Sequence, residues 1–386
     1  MSESSMKPFD FEPRTRIVFG AGSLARLGEL ARSLAPRRAL VVSDPGVVGA
    51  GHTARAIASL EEAGFDVALF DAVHENPTTR DVEAGRREAV RFQPELLVAV
   101  GGGSSMDCAK GINFVYSNGG QMKDYWGVGK ATSPMLPMIA VPTTAGTGSE
   151  TQSFALISDA DTHVKMACGD PKAACAVALL VPELTMTQPP AVTAVTGYDA
   201  IAHAIETFVT TRRTPLSQMW SREAWRLLAP HFEVVLTQPD NLEARAAMQL
   251  GASYAGMAIE NSMLGAAHAL ANPLTARYGV IHGQAVALTL PAVVRYNGSV
   301  CSASYRLLAT DLGLAEDSPV ASVEALAGEL ERLRSAAGLA GRLRDVGVDE
   351  SALEELAAEA ARQWTGTFNP RPVDAERLLE LYRQCW

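Results

Sequence analysis

Leu96-Leu-Val-Ala-Val-Gly-Gly-Gly-Ser-Ser-Met-Asp-Cys-Ala-Lys110 is the stretch on which the reading of this chain turns. A short apolar run, three glycines and then helix-forming residues spell strand, tight turn, helix. Glycines let the main chain come close to a diphosphate, and the helix start adds N–H groups and the positive end of its dipole. Ser104 adds a hydroxyl donor. The pattern is not the Gly-x-Gly-x-x-Gly fingerprint, because Met106 stands in the third place. Taken alone, it is equally a plain strand-to-helix turn.

Moving outward, Val141-Pro-Thr-Thr-Ala-Gly-Thr-Gly-Ser-Glu150 follows another apolar run, Met138 to Val141, and places Thr143, Thr144 and Thr147 beside Gly146 and Gly148. Two small-residue loops after successive strands suit a ligand at the carboxyl ends of a parallel sheet. The runs Ala39 to Ser43 and Val67 to Phe70 have the same strand character. Segments of helical period, Ala54 to Ala63 and Thr79 to Arg91, separate them. Apolar strands spaced by helices imply a parallel sheet covered on both faces. The texture changes at Thr187-Gln-Pro-Pro190. Beyond it, Glu243 to Glu260, Val323 to Ala337 and Ser351 to Gln363 all carry a helical period. The expected architecture is an α/β, Rossmann-like dinucleotide-binding domain over 1–187 followed by an all-α domain over 188–386.

Composition narrows the function. The 386 residues are long enough for two cores, and 47% hydrophobic with 20% charged residues is a globular profile. A net charge of −10 argues against nucleic acid and against an anionic membrane surface. No apolar run approaches the ~20 residues of a membrane span, and Met1 to Glu12 lacks the apolar core of a signal peptide. The five cysteines, Cys108, Cys168, Cys175, Cys301 and Cys385, contain no Cys-x-x-Cys pair. They read as packing residues in a reducing cytoplasm.

Chemistry concentrates in the second half. Asp199 and His203 stand four apart in Thr196-Gly-Tyr-Asp-Ala-Ile-Ala-His-Ala-Ile-Glu206, a spacing that stacks both on one helix face. His268 and His282 follow on two further helical segments, with a break expected at Pro273 and Gly279. One carboxylate and three imidazoles make a nitrogen and oxygen donor set for Fe²⁺ or Zn²⁺. Any one of these histidines, taken singly, reads as a hydrogen-bonded core or surface residue. Asp44 ends the strand Ala39 to Ser43, where an acid binds ribose hydroxyls and repels a 2′-phosphate. Alone, it is a turn residue before Pro45-Gly46.

Together these segments resemble the iron-containing, or group III, alcohol dehydrogenases over nearly the whole chain. The matching pieces are Arg16-Ile-Val-Phe-Gly-Ala-Gly22, Asn76-Pro-Thr78, Gly101 to Ser104 with Asp107, and Pro142 to Glu150. In the helical half they are Asp199 to Glu206, Gly265 to Pro273, Ile281-His-Gly283 and Asn369-Pro-Arg-Pro372. The resemblance implies a metal held by Asp199, His203, His268 and His282. It also implies cofactor contacts from Gly102, Gly103, Ser104, Asp107, Thr143, Thr144, Thr147 and Lys165. Asp44 then favours NAD over NADP. The implied activity is hydride transfer between a small alcohol and an aldehyde or ketone, in a homodimer or larger assembly.

One residue departs from the pattern. Many members carry a further His four residues after the first C-terminal ligand, where it assists proton movement. Here Asn272 stands in that place, and Asn takes no proton at neutral pH. The metal site survives this change; a relay through that position does not. Glycerol dehydrogenases and dehydroquinate synthase-like lyases share the architecture, and the Thr-Thr-Ala-Gly-Thr-Gly-Ser-Glu loop favours the alcohol dehydrogenase branch. A non-catalytic nucleotide-binding protein is the rival of another class. Phe154 and Tyr278 are candidate substrate-wall or packing residues.

Overall fold

A computed structural model describes residues 8–34 and 37–386. The reading of the amino terminus therefore falls partly outside the described residues. The rest forms two compact units, Phe11–Gln188 and Pro189–Trp386, with residues 8–10 grouped with the latter.

In the first unit the strands are β1 (Arg16–Phe19), β2 (Arg38–Val42), β3 (Asp66–Phe70), β4 (Leu96–Gly101), β5 (Gly127–Val128), β6 (Met138–Pro142), β7 (Phe154–Ser158), β8 (Lys165–Gly169) and β9 (Val177–Leu180). The helices between them are α1 (Leu27–Arg32), α2 (Pro45–Gly49), α3 (His52–Glu62), α4 (Thr79–Phe92) and α5 (Gly103–Asn118). Six strands form one parallel sheet in the order β1-β9-β6-β4-β2-β3. Alternation explains its two cores. Leu40 and Val42 face one layer with Ile112 and Phe114, while Ala39 and Val41 face the other with Leu27 and Leu60. The chain turns one way from β2 to β3 and the other way from β4 to β6. The carboxyl ends of β2 and β4 therefore flank a topological switch point, the usual ligand crevice of such sheets. Asp44 follows β2, and the three glycines follow β4.

A second sheet was not foreseen. β5, β8 and β7 form it, with β7 and β8 antiparallel. Phe154 lies opposite Gly169 in that pair, and a Cβ at Gly169 would press into its ring. The ring packs on the small sheet.

The second unit holds α6 (Pro190–Val209), α7 (Pro215–Thr237), α8 (Leu242–Ser262), α9 (Ala266–Tyr278), α10 (His282–Asp311), α11 (Pro319–Ala336), α12 (Leu353–Ala360) and α13 (Ala375–Cys385). Several starts are written in the sequence. Thr214, Asn241, Ser318 and Asp374 cap α7, α8, α11 and α13 through their side chains. Buried aromatics spend their polar tips on main-chain carbonyls: Tyr198 on Leu330, Trp225 on Leu308 and Tyr382 on Leu270. Two expectations need correction. Pro273 does not break the helix; α9 runs through it, giving up one N–H, and ends at Gly279, whose φ of 63° stops it. The segment Ser351 to Gln363 shrinks to α12, flanked by 3₁₀ turns over Glu350–Ala352 and Trp364–Phe368. Among the described residues, no helix is long and apolar enough to cross a membrane.

Candidate metal centre and cofactor loops

α6 is buried along most of its length, and Asp199 and His203 sit on one of its faces. Nε2 of His203 lies 3.5 Å from Asp199 Oδ1. His268 enters from the first turn of α9, its Nε2 also 3.5 Å from that oxygen. His282 opens α10, with Nε2 at 4.0 Å. Ligand atoms of Asp199, His268 and His282 all lie within 4.8 Å of one another. His203 stands at the margin of that group, its ring stacked on His268 with centroids 4.9 Å apart. Gly283 makes the approach of α10 possible: a Cβ there would collide with the main-chain carbonyl of Val195 on α6. The side chains of Asp199, His203 and His268 are buried, whereas that of His282 is 27% exposed, so the cluster opens on the His282 side.

The carboxylates and imidazoles of the cluster shift one another's ionisation. Burial opposes ionisation of Asp199, yet the three imidazoles outweigh it and hold the carboxyl well below its ordinary range. Burial likewise opposes a charged His268. Glu206 and Asp199 overcome it and push that imidazole up to about 9. Asp199 Oδ1 and His268 Nε2 are nevertheless buried without a hydrogen bond, at a separation too long for a good one. Two orphaned buried donor atoms facing each other inside an anionic cluster fit a divalent cation. The remaining histidines are occupied elsewhere or on the surface. His52 pairs with Thr187, His74 with Asp81 and His231 with the Leu227 carbonyl, while His163 lies in an exposed turn.

Asn272 sits one turn beyond His268 on α9, and its amide donates to Gln363 Oε1 at 3.0 Å. Tyr278 ends the same helix, half-buried.

In the α/β unit the two loops lie against each other. Thr143 N–H donates to the Gly101 carbonyl at 3.0 Å. A Cβ on Gly102 would stand 3.1 Å from Thr144 Cγ2, and one on Gly103 would stand 2.6 Å from Thr147 Cγ2. The glycine run is thus fixed by close approach of the neighbouring loop. α5 starts at Gly103, so its first N–H groups point out of the turn. Ser104 Oγ accepts the Asn76 N–H at 3.2 Å, which ties the Asn76-Pro-Thr78 segment to this loop. Asp44 caps α2 by accepting from Val47 N–H at 3.0 Å and accepts the Ser105 hydroxyl at 2.9 Å.

Asp107 turns inward. Its oxygens accept from Ser149 Oγ at 2.6 Å and from Leu156 N–H at 3.2 Å. Lys110 is fully buried and donates to the Ser149 carbonyl, the Ser149 hydroxyl and the Phe154 carbonyl. Lys165, exposed at the start of β8, acts on Asp107 through its charge. All five thiols are free and buried, and burial pushes each above its ordinary value. Such thiols are inert packing groups.

Residues 13–182 match the family described as iron-containing alcohol dehydrogenase, and residues 193–386 match the C-terminal family of the Fe-containing alcohol dehydrogenases. The chain belongs to the iron-containing alcohol dehydrogenase family. It is 32% identical to a 1,3-propanediol dehydrogenase of Klebsiella pneumoniae over 99% of this chain and 100% of that protein. A crystal structure of 1,3-propanediol oxidoreductase superposes with a TM-score of 0.95 at 32% identity, covering 98% of this chain and 100% of the other. Sulfoacetaldehyde reductase from Bifidobacterium kashiwanohense, solved in complex with NAD⁺, gives 0.89 at 27% identity, over 98% and 99% of the two chains. As an iron-containing alcohol dehydrogenase, the protein is an oxidoreductase that interconverts an alcohol and an aldehyde. Glu206, Ser105, Lys110 and Gln363 touch the candidate site residues of this alcohol dehydrogenase without belonging to any motif of ligand type. Glu206 alone carried a signal, since it falls on the helix face of Asp199 and His203.

Proposed function

We propose that the chain is an NAD-linked alcohol dehydrogenase whose divalent cation, Fe²⁺ or Zn²⁺, is held by Asp199, His203, His268 and His282. The observation that carries this is the facing pair of orphaned buried atoms, Asp199 Oδ1 and His268 Nε2. When bound, such a cation would supply Lewis acidity, lowering the pKa of a water or alcohol hydroxyl beside it. The protein's own groups do the rest. Asp199 contributes the one negative charge of the set, and the opening beside His282 leaves access for a small alcohol, diol or carbonyl compound. Asn272 is engaged with Gln363 and bears no exchangeable charge, so the alcohol proton leaves through water or a cofactor hydroxyl.

In the α/β unit, Gly102, Gly103 and Ser104 cradle the pyrophosphate at the start of α5. Thr143, Thr144, Thr147 and Lys165 contact the remainder of the cofactor. Asp44 receives the ribose hydroxyls and disfavours a 2′-phosphate, hence NAD over NADP. Asp107 and Lys110 serve this cofactor by holding the Ser149 end of the threonine loop. We assign 1–187 to cofactor and 188–386 to metal and substrate, and place the enzyme in the cytoplasm as a homodimer or larger assembly. Its buried unpaired thiols suit that compartment.

The test is metal content measured alongside NAD⁺ reduction on a panel of short alcohols and diols, with and without chelator. Activity lost on chelation and restored by Fe²⁺ or Zn²⁺ is the expected result. Full activity in protein free of metal would overturn the reading.

A further inference from the structure

Glu206, whose charge raises the pKa of His268, has one oxygen with a different partner, and the stretch Asn369-Pro-Arg-Pro372 lies close by. Both converge on the first turn of α9, the helix that carries His268. That helix follows Gly265, which has no side chain to accept its leading N–H groups. Two distant side chains do so instead. Glu206 Oε1 accepts from Ala267 N–H at 2.7 Å, and Asn369 Oδ1 accepts from Ala266 N–H at 3.3 Å. A Cβ at residue 265 would lie 3.0 Å from each of these two oxygens, so the glycine is what admits them.

Asn369 is itself locked. It exchanges two amide hydrogen bonds with Asn297 of α10, at 3.0 and 2.8 Å, and donates to the Arg371 carbonyl at 2.6 Å. Arg371 lies over the Tyr296 ring at 3.9 Å and donates to the Tyr296 carbonyl, while the Tyr296 hydroxyl donates to the Pro372 carbonyl. The loop therefore joins the helix that begins at His282 to the start of the helix that holds His268. Glu206, Asn297 and Asn369 are all buried.

The second oxygen of Glu206 accepts from His268 Nδ1 at 2.5 Å. A carboxylate only accepts, so Nδ1 keeps its proton, and Nε2, on the Asp199 side, is the nitrogen that would give up its proton to a bound cation. We propose that Glu206 is a positioning residue of the metal centre, fixing both the tautomer of His268 and the start of its helix, and that Asn369 holds the same turn from the other side. This rests on the assignment of Asp199, His203, His268 and His282 as the ligand set.

Glu206→Gln separates positioning from simple capping. The carboxamide keeps the volume and one acceptor, enough for Ala267 N–H. Its NH₂ then faces His268 and moves the ring proton onto Nε2, against the metal. The full-length protein, stripped of metal, is titrated with Zn²⁺ alone in competition with a chromophoric chelator; Asp199→Asn and Asn369→Ala run beside it. Melting of the metal-free proteins serves as the fold control. Wild type is expected to bind one Zn²⁺ that Asp199→Asn abolishes. Glu206→Gln is expected to bind roughly 10–100-fold more weakly, and Asn369→Ala to lose less. Wild-type affinity in Glu206→Gln overturns the role of Glu206, and wild-type affinity in Asn369→Ala overturns that of Asn369. Failure of wild type to bind Zn²⁺, or its retention in Asp199→Asn, instead overturns the ligand assignment beneath both. Should Glu206→Gln not fold, ¹⁵N-histidine NMR of the wild-type zinc form decides the matter. A proton on His268 Nδ1 is expected, and a proton on Nε2 overturns the proposal.

Discussion

Asp44 shows how one side chain carries a local and a remote duty at once. Its carboxylate caps α2 and also receives the Ser105 hydroxyl beside the glycine loop. Asp44→Ser keeps a capping oxygen and removes the charge, so stability should hardly change. The preference for NADH over NADPH should fall by about tenfold, equal to about 1.4 kcal/mol, in the ratio of their dissociation constants. An unchanged ratio would show that the acid is only a cap. The pair Asp199 and His203 was legible because the helical period alone puts residues four apart on one face. Glu206 lies on that same face, yet its partner Ala267 N–H is 61 residues away, so no local pattern names its task. Asp107 has partners that no local pattern names either. Its place in the loop motif points to the cofactor, and its oxygens accept from Ser149 and Leu156, 42 and 49 residues along the chain.

At the scale of elements, glycines decide which segments can touch. Gly283 lets the start of α10 rest on the backbone of α6, and a main-chain carbonyl cannot rotate away as a side-chain tip can. Gly283→Ala should therefore cost about 1–3 kcal/mol and push His282 away from Asp199. Thermal melting of the metal-free protein and the Zn²⁺ bound per chain measure both effects; a variant that melts and loads as wild type would refute the argument. The strands β2, β4 and β6 and the long helices were readable because burial on both faces and the helical period leave strong patterns. The β5-β8-β7 sheet was not. β5 is two residues long, too little sequence to carry a period, and β8 starts on an exposed lysine and ends on a glycine, unlike the continuous apolar runs of the large sheet. Pro273 misled in the other direction: a breaker by local rule, it is held within α9 by a turn whose start is capped from outside and whose end is set by Gly279.

At the scale of the molecule, each unit has its own core, and the candidate ligands all belong to the helical one. A cation that binds only the folded form stabilises it by about 4 kcal/mol at 1,000 times its dissociation constant. Added Zn²⁺ should thus slow amide exchange in α6, α9 and α10 and leave β1 to β4 as they were. Equal protection of the sheet would place the metal elsewhere. The order of residues along the chain has a further consequence, one of time. Ala266 and Asn369 are 103 residues apart. At a synthesis rate of roughly 5–20 residues per second, the ribosome needs roughly 5–20 s to travel from one to the other. For most of that interval the aspartate and all three histidines have already been made, and the asparagine that holds the turn has not. The turn that presents His268 thus gains its last partner only after every candidate ligand has been made.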